Sequence, residues 1–128
     1  MTTHHTIRSS YDNLGLAMLI SEPSGTPKGI VQIVHGMCEH KERYIPFMEY
    51  LSDAGYICII HDHRGHGESV ISEEDLGYMY KGGWQALVED IHSVRMEAEK
   101  MFPSLPYTLI GHSMGSMAVR SYTKRYDD

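Results

Sequence analysis

The sequence is poor in cysteine and contains no long apolar run and no block of basic residues. Its two cysteines, Cys38 and Cys58, are too few for a disulfide framework, so we expect reduced thiols and a cytoplasmic location. No apolar stretch approaches the ~20 residues that span a bilayer, and the N-terminus lacks the features of a signal peptide. Seventeen acidic and eleven basic side chains give a net charge of −6, which repels phosphate backbones. We therefore expect neither a transmembrane segment nor a nucleic-acid partner.

Strand and helix patterns alternate along the chain and predict an α/β fold. The predicted elements, in chain order, are strands 5–11, 14–20 and 29–34, helix 44–54, strand 56–60, helix 84–101, strand 107–110 and helix 114–126. The last three strands are short and almost wholly apolar, which is typical of a mostly parallel sheet covered by helices on both faces. A length of 128 residues favours one domain, residues 1–128.

The pentapeptide Gly111-His-Ser-Met-Gly115 lies between the last predicted strand and the last predicted helix. A serine hydroxyl is an effective nucleophile only when it is exposed to a base and its attack product is stabilised. A tight strand-to-helix turn would expose Ser113, and glycines at 111 and 115 would remove the side chains that collide there. G-x-S-x-G arises by chance in about one chain of this length in twenty-five. Its place between strand and helix therefore predicts a nucleophile, and the alternative is a serine that caps the helix.

A serine nucleophile of this type requires two backbone N–H groups that bind the oxyanion of the tetrahedral intermediate. The N–H of Met114, next to the nucleophile at the start of a helix, is one candidate. The second should come from the loop after an adjacent strand, where His35-Gly-Met-Cys-Glu-His40 places Met37. An ordinary glycine turn at the strand end is the alternative interpretation of this second motif.

The histidines of His61-Asp-His-Arg-Gly-His66 raise the question of a metal site, because imidazoles are common zinc ligands. The H-x-H-x-D-H pattern of metallo-hydrolases would require aspartate where this chain has Gly65. We therefore predict no metal ion and no cofactor, and interpret the segment as a turn held by its own polar groups. The residues expected to hold that turn are Asp62, Arg64, His66 and Ser69.

Three motifs together resemble the monoacylglycerol lipase and lysophospholipase group of α/β-hydrolases, which is similar to the S33 serine aminopeptidases. They are H-G-x-x-E-H-x-x-R-Y at 35–44, D-x-R-G-H-G-x-S at 62–69 and G-H-S-M-G at 111–115. The resemblance covers nearly all of residues 8–126. Cys38 departs from it, because these lipases usually carry glycine there.

The resemblance implies hydrolysis of small acyl esters by a Ser-Asp-His triad, without a cofactor. It implies that Ser113 is the nucleophile and that Met37 and Met114 supply the oxyanion-binding N–H groups. A serine aminopeptidase or amidase of the same fold, and a catalytically silent ligand-binding module, are the alternatives.

The order of the triad in these enzymes is serine, then Asp or Glu, then histidine. Fifteen residues follow Ser113, and none is histidine. We expect His112 to pack against the sheet instead of serving as the base. Residues 1–128 are therefore expected to be the N-terminal part of a catalytic domain, inactive without a complementary C-terminal segment or a second chain. Strand 107–110 would otherwise be an exposed sheet edge.

Overall fold

The structure is a computed structural model, and it describes residues 2–36, 41–64, 66, 69, 83–112 and 114–126, with the side chain of Met114 left out. The strands are β1 (Thr2–Arg8), β2 (Gly15–Ser21), β3 (Gly29–Val34), β4 (Tyr56–His61) and β5 (Tyr107–Gly111). The helices are a 3₁₀ turn (Lys41–Tyr44), α1 (Ile45–Asp53), α2 (Gly83–Met101) and α3 (Met114–Arg125).

The five described strands form one sheet in the order β1-β2-β4-β3-β5. The apolar strands β3, β4 and β5 are parallel, and β2 and β1 extend the sheet antiparallel beyond β4. The predicted α/β class is confirmed, with its parallel part at the three strands whose sequences are nearly continuous apolar runs. β5 pairs only with β3 among the described strands, so it forms an edge of the described sheet, as expected for strand 107–110.

Helices cover both faces of the sheet, as predicted. On one face, α1 inserts Met48 into a core that includes Ile33 and Ile60. On the other face, α2 places Val94 against Ile57, and both α2 and α3 pack over the end of β3. Alternate residues of β3 and β4 therefore enter opposite cores, which is the burial pattern that favours uninterrupted apolar strands. Cys58 is fully buried in the α1 core.

The first two strands differ most from the prediction. β1 begins and ends three residues earlier than the predicted strand 5–11, because Ser9 starts the turn that leads into β2. The carbonyl of Ser9 accepts the N–H of Asn13, whose φ is 65°, and the N–H of Ser9 donates to the carbonyl of Leu14. Full antiparallel pairing from Thr2 with Ser21 then fixes the extent of β1.

Helix boundaries agree closely with the sequence. The predicted helix 44–54 is α1 preceded by the 3₁₀ turn, and it stops before Gly55, whose φ of 102° glycine adopts without strain. None of the helices within the described ranges combines the length and apolar character of a membrane span.

Candidate active site

Three elements meet at the carboxyl end of the parallel strands. Val34, the last residue of β3, pairs in register with Gly111, the last residue of β5. The N–H of His112 donates to the carbonyl of Val34 at 3.1 Å, and the N–H of Gly115 donates to the carbonyl of His112 at 2.9 Å. Because α3 begins at Met114, the chain passes from strand to helix through residues 112 and 113 alone. This is the strand-to-helix junction that the sequence predicts.

Close backbone contacts explain the two glycines of the pentapeptide. A Cβ atom at Gly111 would lie 2.5 Å from the carbonyl oxygen of Gly115. A Cβ atom at Gly115 would lie 2.0 Å from the carbonyl oxygen of Val34 and 2.6 Å from that of His35. All of these neighbours are backbone atoms, so no side-chain rotation relieves the overlap. The first turn of α3 therefore lies directly against the end of β3 because both positions lack a side chain.

The predicted site residues themselves are only partly within the described structure. Met114 is the first residue of α3, as predicted, and its backbone lies at the helix N-terminus. Ser113 and Met37 lie outside the described residues. Their chain neighbours are nonetheless in contact, since the carbonyl of His35 lies beside Gly115. The assignments of Ser113 and Met37 therefore remain predictions, supported by the residues on either side.

The expectation for His112 is wrong. Its side chain is exposed within the described residues instead of packing against the sheet. The cause is the junction itself: the backbone of His112 is held by the carbonyl of Val34, while β5 forms the sheet edge and leaves that side of the junction open.

The histidines considered as metal ligands form a buried cluster with His35, which the sequence interpretation did not include. The rings of His35 and His63 lie 4.2 Å apart between centroids, and those of His61 and His63 lie 5.2 Å apart. His66 also belongs to the cluster, and its Nδ1 donates to the carbonyl of Arg64 at 3.1 Å. Across the part of the chain that the structure describes, no group of three His, Cys, Asp or Glu side chains is arranged to hold a metal ion.

Burial keeps the centre of this cluster uncharged. Loss of solvent lowers the pKa of His61 to about 3, with a smaller electrostatic contribution from the neighbouring His35. The same two causes, burial first, hold the pKa of His63 well below its usual value. Both side chains are therefore neutral near pH 7. His63 contributes packing and hydrogen bonds to His35, His61 contributes packing, and neither adds a positive charge.

Arg64 ties the segment after β4 to two distant parts of the chain. Its guanidinium is fully buried and donates from Nε to Asp90 of α2 at 2.7 Å and from Nη1 to Asp12 at 2.8 Å. The hydrogen bond from Arg64 lowers the pKa of Asp12. The sequence predicts that the polar residues of 61–69 satisfy backbone groups and one another, and Ser69 does so, since its Oγ accepts the backbone N–H of Ala17. Arg64 departs from this expectation, because it binds carboxylates of other parts of the chain.

The parallel strands, the helices on both faces and the glycine-flanked junction after β5 define an α/β-hydrolase. The serine aminopeptidase S33 family of hydrolases matches residues 25–128, and the chain belongs to this family.

Individual proteins with known structures or curated functions are similar to the chain. A highly thermostable carboxyl esterase from Bacillus coagulans, solved with glycerol, has a TM-score of 0.87 and 33% identity, covering 98% of this chain and 40% of the esterase. The monoglyceride lipase of Rattus norvegicus is 35% identical over 94 residues, which are 73% of this chain and 29% of the lipase. The monoacylglycerol lipase of Mycolicibacterium smegmatis is 35% identical over 104 residues, 81% of this chain and 35% of the lipase. The chain thus spans about a third of the length of these two curated relatives.

Proposed function

We propose that this chain carries the nucleophile and the oxyanion hole of a serine carboxylic-ester hydrolase, with Ser113 as the nucleophile. The observation that supports this most strongly is the overlap that any Cβ at Gly115 would make with the carbonyls of Val34 and His35. A serine that merely caps a helix requires no such approach of helix to strand. A nucleophile that must stand beside donors from the loop after β3 does require it.

The substrates we propose are monoacylglycerols, lysophospholipids or similar small acyl esters. The similar proteins support this choice, since two are monoglyceride or monoacylglycerol lipases and one is a carboxyl esterase solved with glycerol. No cofactor is needed for this reaction. We also propose a cytoplasmic location, consistent with Cys58 being a free, buried thiol.

In the proposed mechanism, the Ser113 hydroxyl attacks the ester carbonyl and transfers its proton to a histidine base. The N–H groups of Met37 and Met114 bind the resulting oxyanion. The carbon–oxygen bond to the alcohol then breaks, the histidine returns the proton to the leaving alcohol, and an acyl-serine remains. Water, deprotonated by the same histidine, releases the acid and restores Ser113.

The base and its aspartate are proposed to come from a complementary polypeptide, either a downstream segment of the same protein or a second chain. The open edge of β5 supports this proposal. Ile110 of β5 is 37% exposed, and a groove of about 430 Å³ runs along β5 between α2 and α3. The groove is lined by Arg95, Tyr107, Thr108, Leu109, Val119, Thr123 and Tyr126. A strand added at β5 would cover this edge. Because the proposed base and its aspartate belong to the complementary polypeptide, we expect purified residues 1–128 to show no turnover alone.

A serine aminopeptidase or amidase is the second candidate function, and the description of the S33 family favours it. Its attack on an amide would use the same nucleophile and the same oxyanion donors. The two candidates differ in the leaving group, an amine instead of an alcohol. A catalytically silent ligand-binding module of the same fold is the third candidate, and it would need no reactive serine.

The test compares hydrolysis of a monoacylglycerol and an aminoacyl anilide by the complete polypeptide that contains this chain, with fluorophosphonate labelling alongside. We expect ester turnover and labelling that are both lost in Ser113→Ala. Ser116→Ala is the matched control, in the first turn of α3, and should retain both. Preferential hydrolysis of the anilide would instead support the aminopeptidase. A folded wild-type protein that neither turns over nor labels would refute both enzyme proposals and leave the silent module.

A further inference from the structure

The segment 37–40 contains the proposed oxyanion donor, and the described residues on either side of it are buried next to the carboxyl end of β4. His35 and Gly36 precede the segment, and Lys41 follows it. His35 has no exposed surface and Lys41 is only 1% exposed. A lysine is almost never buried to this extent without a specific partner.

The preceding end is held by His63 through two hydrogen bonds. The backbone N–H of His63 donates to Nε2 of His35 at 3.0 Å, and Nε2 of His63 donates to the carbonyl of His35 at 2.9 Å. Nε2 of His35 therefore carries no proton, and its Nδ1 donates to the carbonyl of Gly36 at 2.7 Å. These bonds fix both the ring and the backbone of the residue two positions before Met37.

The following end is held by Asp62, the residue immediately before His63. Oδ1 of Asp62 accepts the backbone N–H of Lys41 at 2.7 Å, and Oδ2 accepts Nζ of Lys41 at 2.9 Å. The N–H of Asp62 in turn donates to the carbonyl of Ala17 in β2 at 2.9 Å. The carboxylate is thus anchored to the sheet and binds Lys41 at two points.

A buried ion pair of this kind adds little net stability, because desolvation of both charges offsets their attraction. It does restrict geometry, since the carboxylate has to meet the main chain and the ammonium group of one residue together. Restriction matters for an oxyanion donor, because a displacement of about 1 Å can cost roughly a hundredfold in rate.

We propose that Asp62 and His63 are positioning residues that hold His35 and Lys41, on either side of segment 37–40, and thereby position the oxyanion donor proposed at Met37. This inference rests on the proposed function, in which that N–H is an oxyanion donor. Neither residue touches the reacting atoms. Asp62 acts through Lys41, and His63 acts through His35.

The test uses the complete polypeptide and two variants, Asp62→Asn and the double variant Lys41→Met/Asp62→Asn. The double variant removes both buried charges and leaves no unpaired lysine, so it keeps the test valid where Asp62→Asn alone does not fold. For both we expect kcat for an acyl ester to fall at least tenfold with KM nearly unchanged, because the donor serves the transition state more than the bound ester. We also expect faster amide hydrogen exchange in a peptide spanning 36–41.

The matched control is Asp12→Asn. This variant also removes a carboxylate that pairs with a buried cation, but the cation is Arg64 and not Lys41. It should change kcat less than twofold and leave exchange in the 36–41 peptide as in wild type. Unchanged kcat and unchanged exchange in the folded double variant would overturn the proposal, as would an equal loss in Asp12→Asn. A wild type without activity would refute the proposed function, and the exchange measurement would still decide whether Asp62 holds the segment.

Discussion

Replacement of Gly115 by alanine sets two effects of opposite sign against each other. Gly115 lies in the first turn of α3, where alanine is favoured over glycine by about 1 kcal/mol of helix propensity. Propensity alone therefore predicts a more stable protein. The new Cβ, however, would lie 2.0 Å from the carbonyl oxygen of Val34, whereas ordinary contact begins at 3.4 Å.

The shortfall is about 1.4 Å, the difference between those two distances, and only backbone movement can remove it. Val34 cannot yield easily, because its carbonyl also accepts the N–H of His112. Overpacking typically costs about 1–3 kcal/mol, and an overlap with backbone atoms lies at the upper end of that range. A cost of about 3 kcal/mol less the propensity gain of about 1 kcal/mol leaves a loss of about 2 kcal/mol of unfolding free energy for Gly115→Ala. Moving the start of α3 by about 1 Å should also slow fluorophosphonate labelling roughly a hundredfold.

Urea unfolding and labelling kinetics of the complete polypeptide measure these two losses separately. Gly25→Ala is the control, because nothing lies within 4 Å of a Cβ at that position. It should stay within about 0.5 kcal/mol of wild type and label at the same rate. A Gly115→Ala protein as stable and as reactive as wild type would refute the close approach of α3 to β3 and, with it, the reasoning for the junction.

Two further predictions concern buried charge. The free energy of unfolding should fall as the pH drops from about 6.5 towards 3, because burial lowers the pKa values of His61 and His63 and only the unfolded chain protonates them in this pH range. Each histidine contributes up to about 1.4 kcal/mol per pH unit. Urea midpoints that stay constant across this range would contradict the prediction. Asp90→Asn should lower the free energy of unfolding by about 3–5 kcal/mol, because it removes a buried counter-charge of the Arg64 guanidinium. Asp12→Asn should lower it less, because Asp12 is partly exposed. Equal denaturation midpoints for the two variants would refute this ranking.

The parallel strands were the most predictable part of the fold. Strand 29–34 matches β3 residue for residue, and β4 and β5 each extend only one residue beyond their predicted ends. Each of these strands is an apolar run, and glycine or polar residues mark where the run ends. β1 was harder to place because it lies at the sheet edge and is mostly polar, so its sequence shows no apolar alternation even though its burial in the fold alternates. Only pairing with β2 sets its ends.

The candidate site also has a part that the sequence predicts and a part that it does not. The pentapeptide and its place between strand and helix were visible in the sequence, since glycines at 111 and 115 have a local steric cause. The contacts of His35 and Lys41, on either side of segment 37–40, were not visible, because they join residues far apart in the chain. Lys41 meets Asp62 across 21 positions, and His35 meets His63 across 28. A lysine with charged neighbours in the sequence is expected at the surface, and only the contact with Asp62 explains why Lys41 is buried.

The most direct test is a crystal structure of the complete polypeptide after reaction with a fluorophosphonate. We predict a covalent bond from phosphorus to Oγ of Ser113, with the phosphoryl oxygen about 3 Å from the backbone nitrogens of Met37 and Met114. Phosphorus on a different side chain, or a phosphoryl oxygen directed away from both amides, would contradict it.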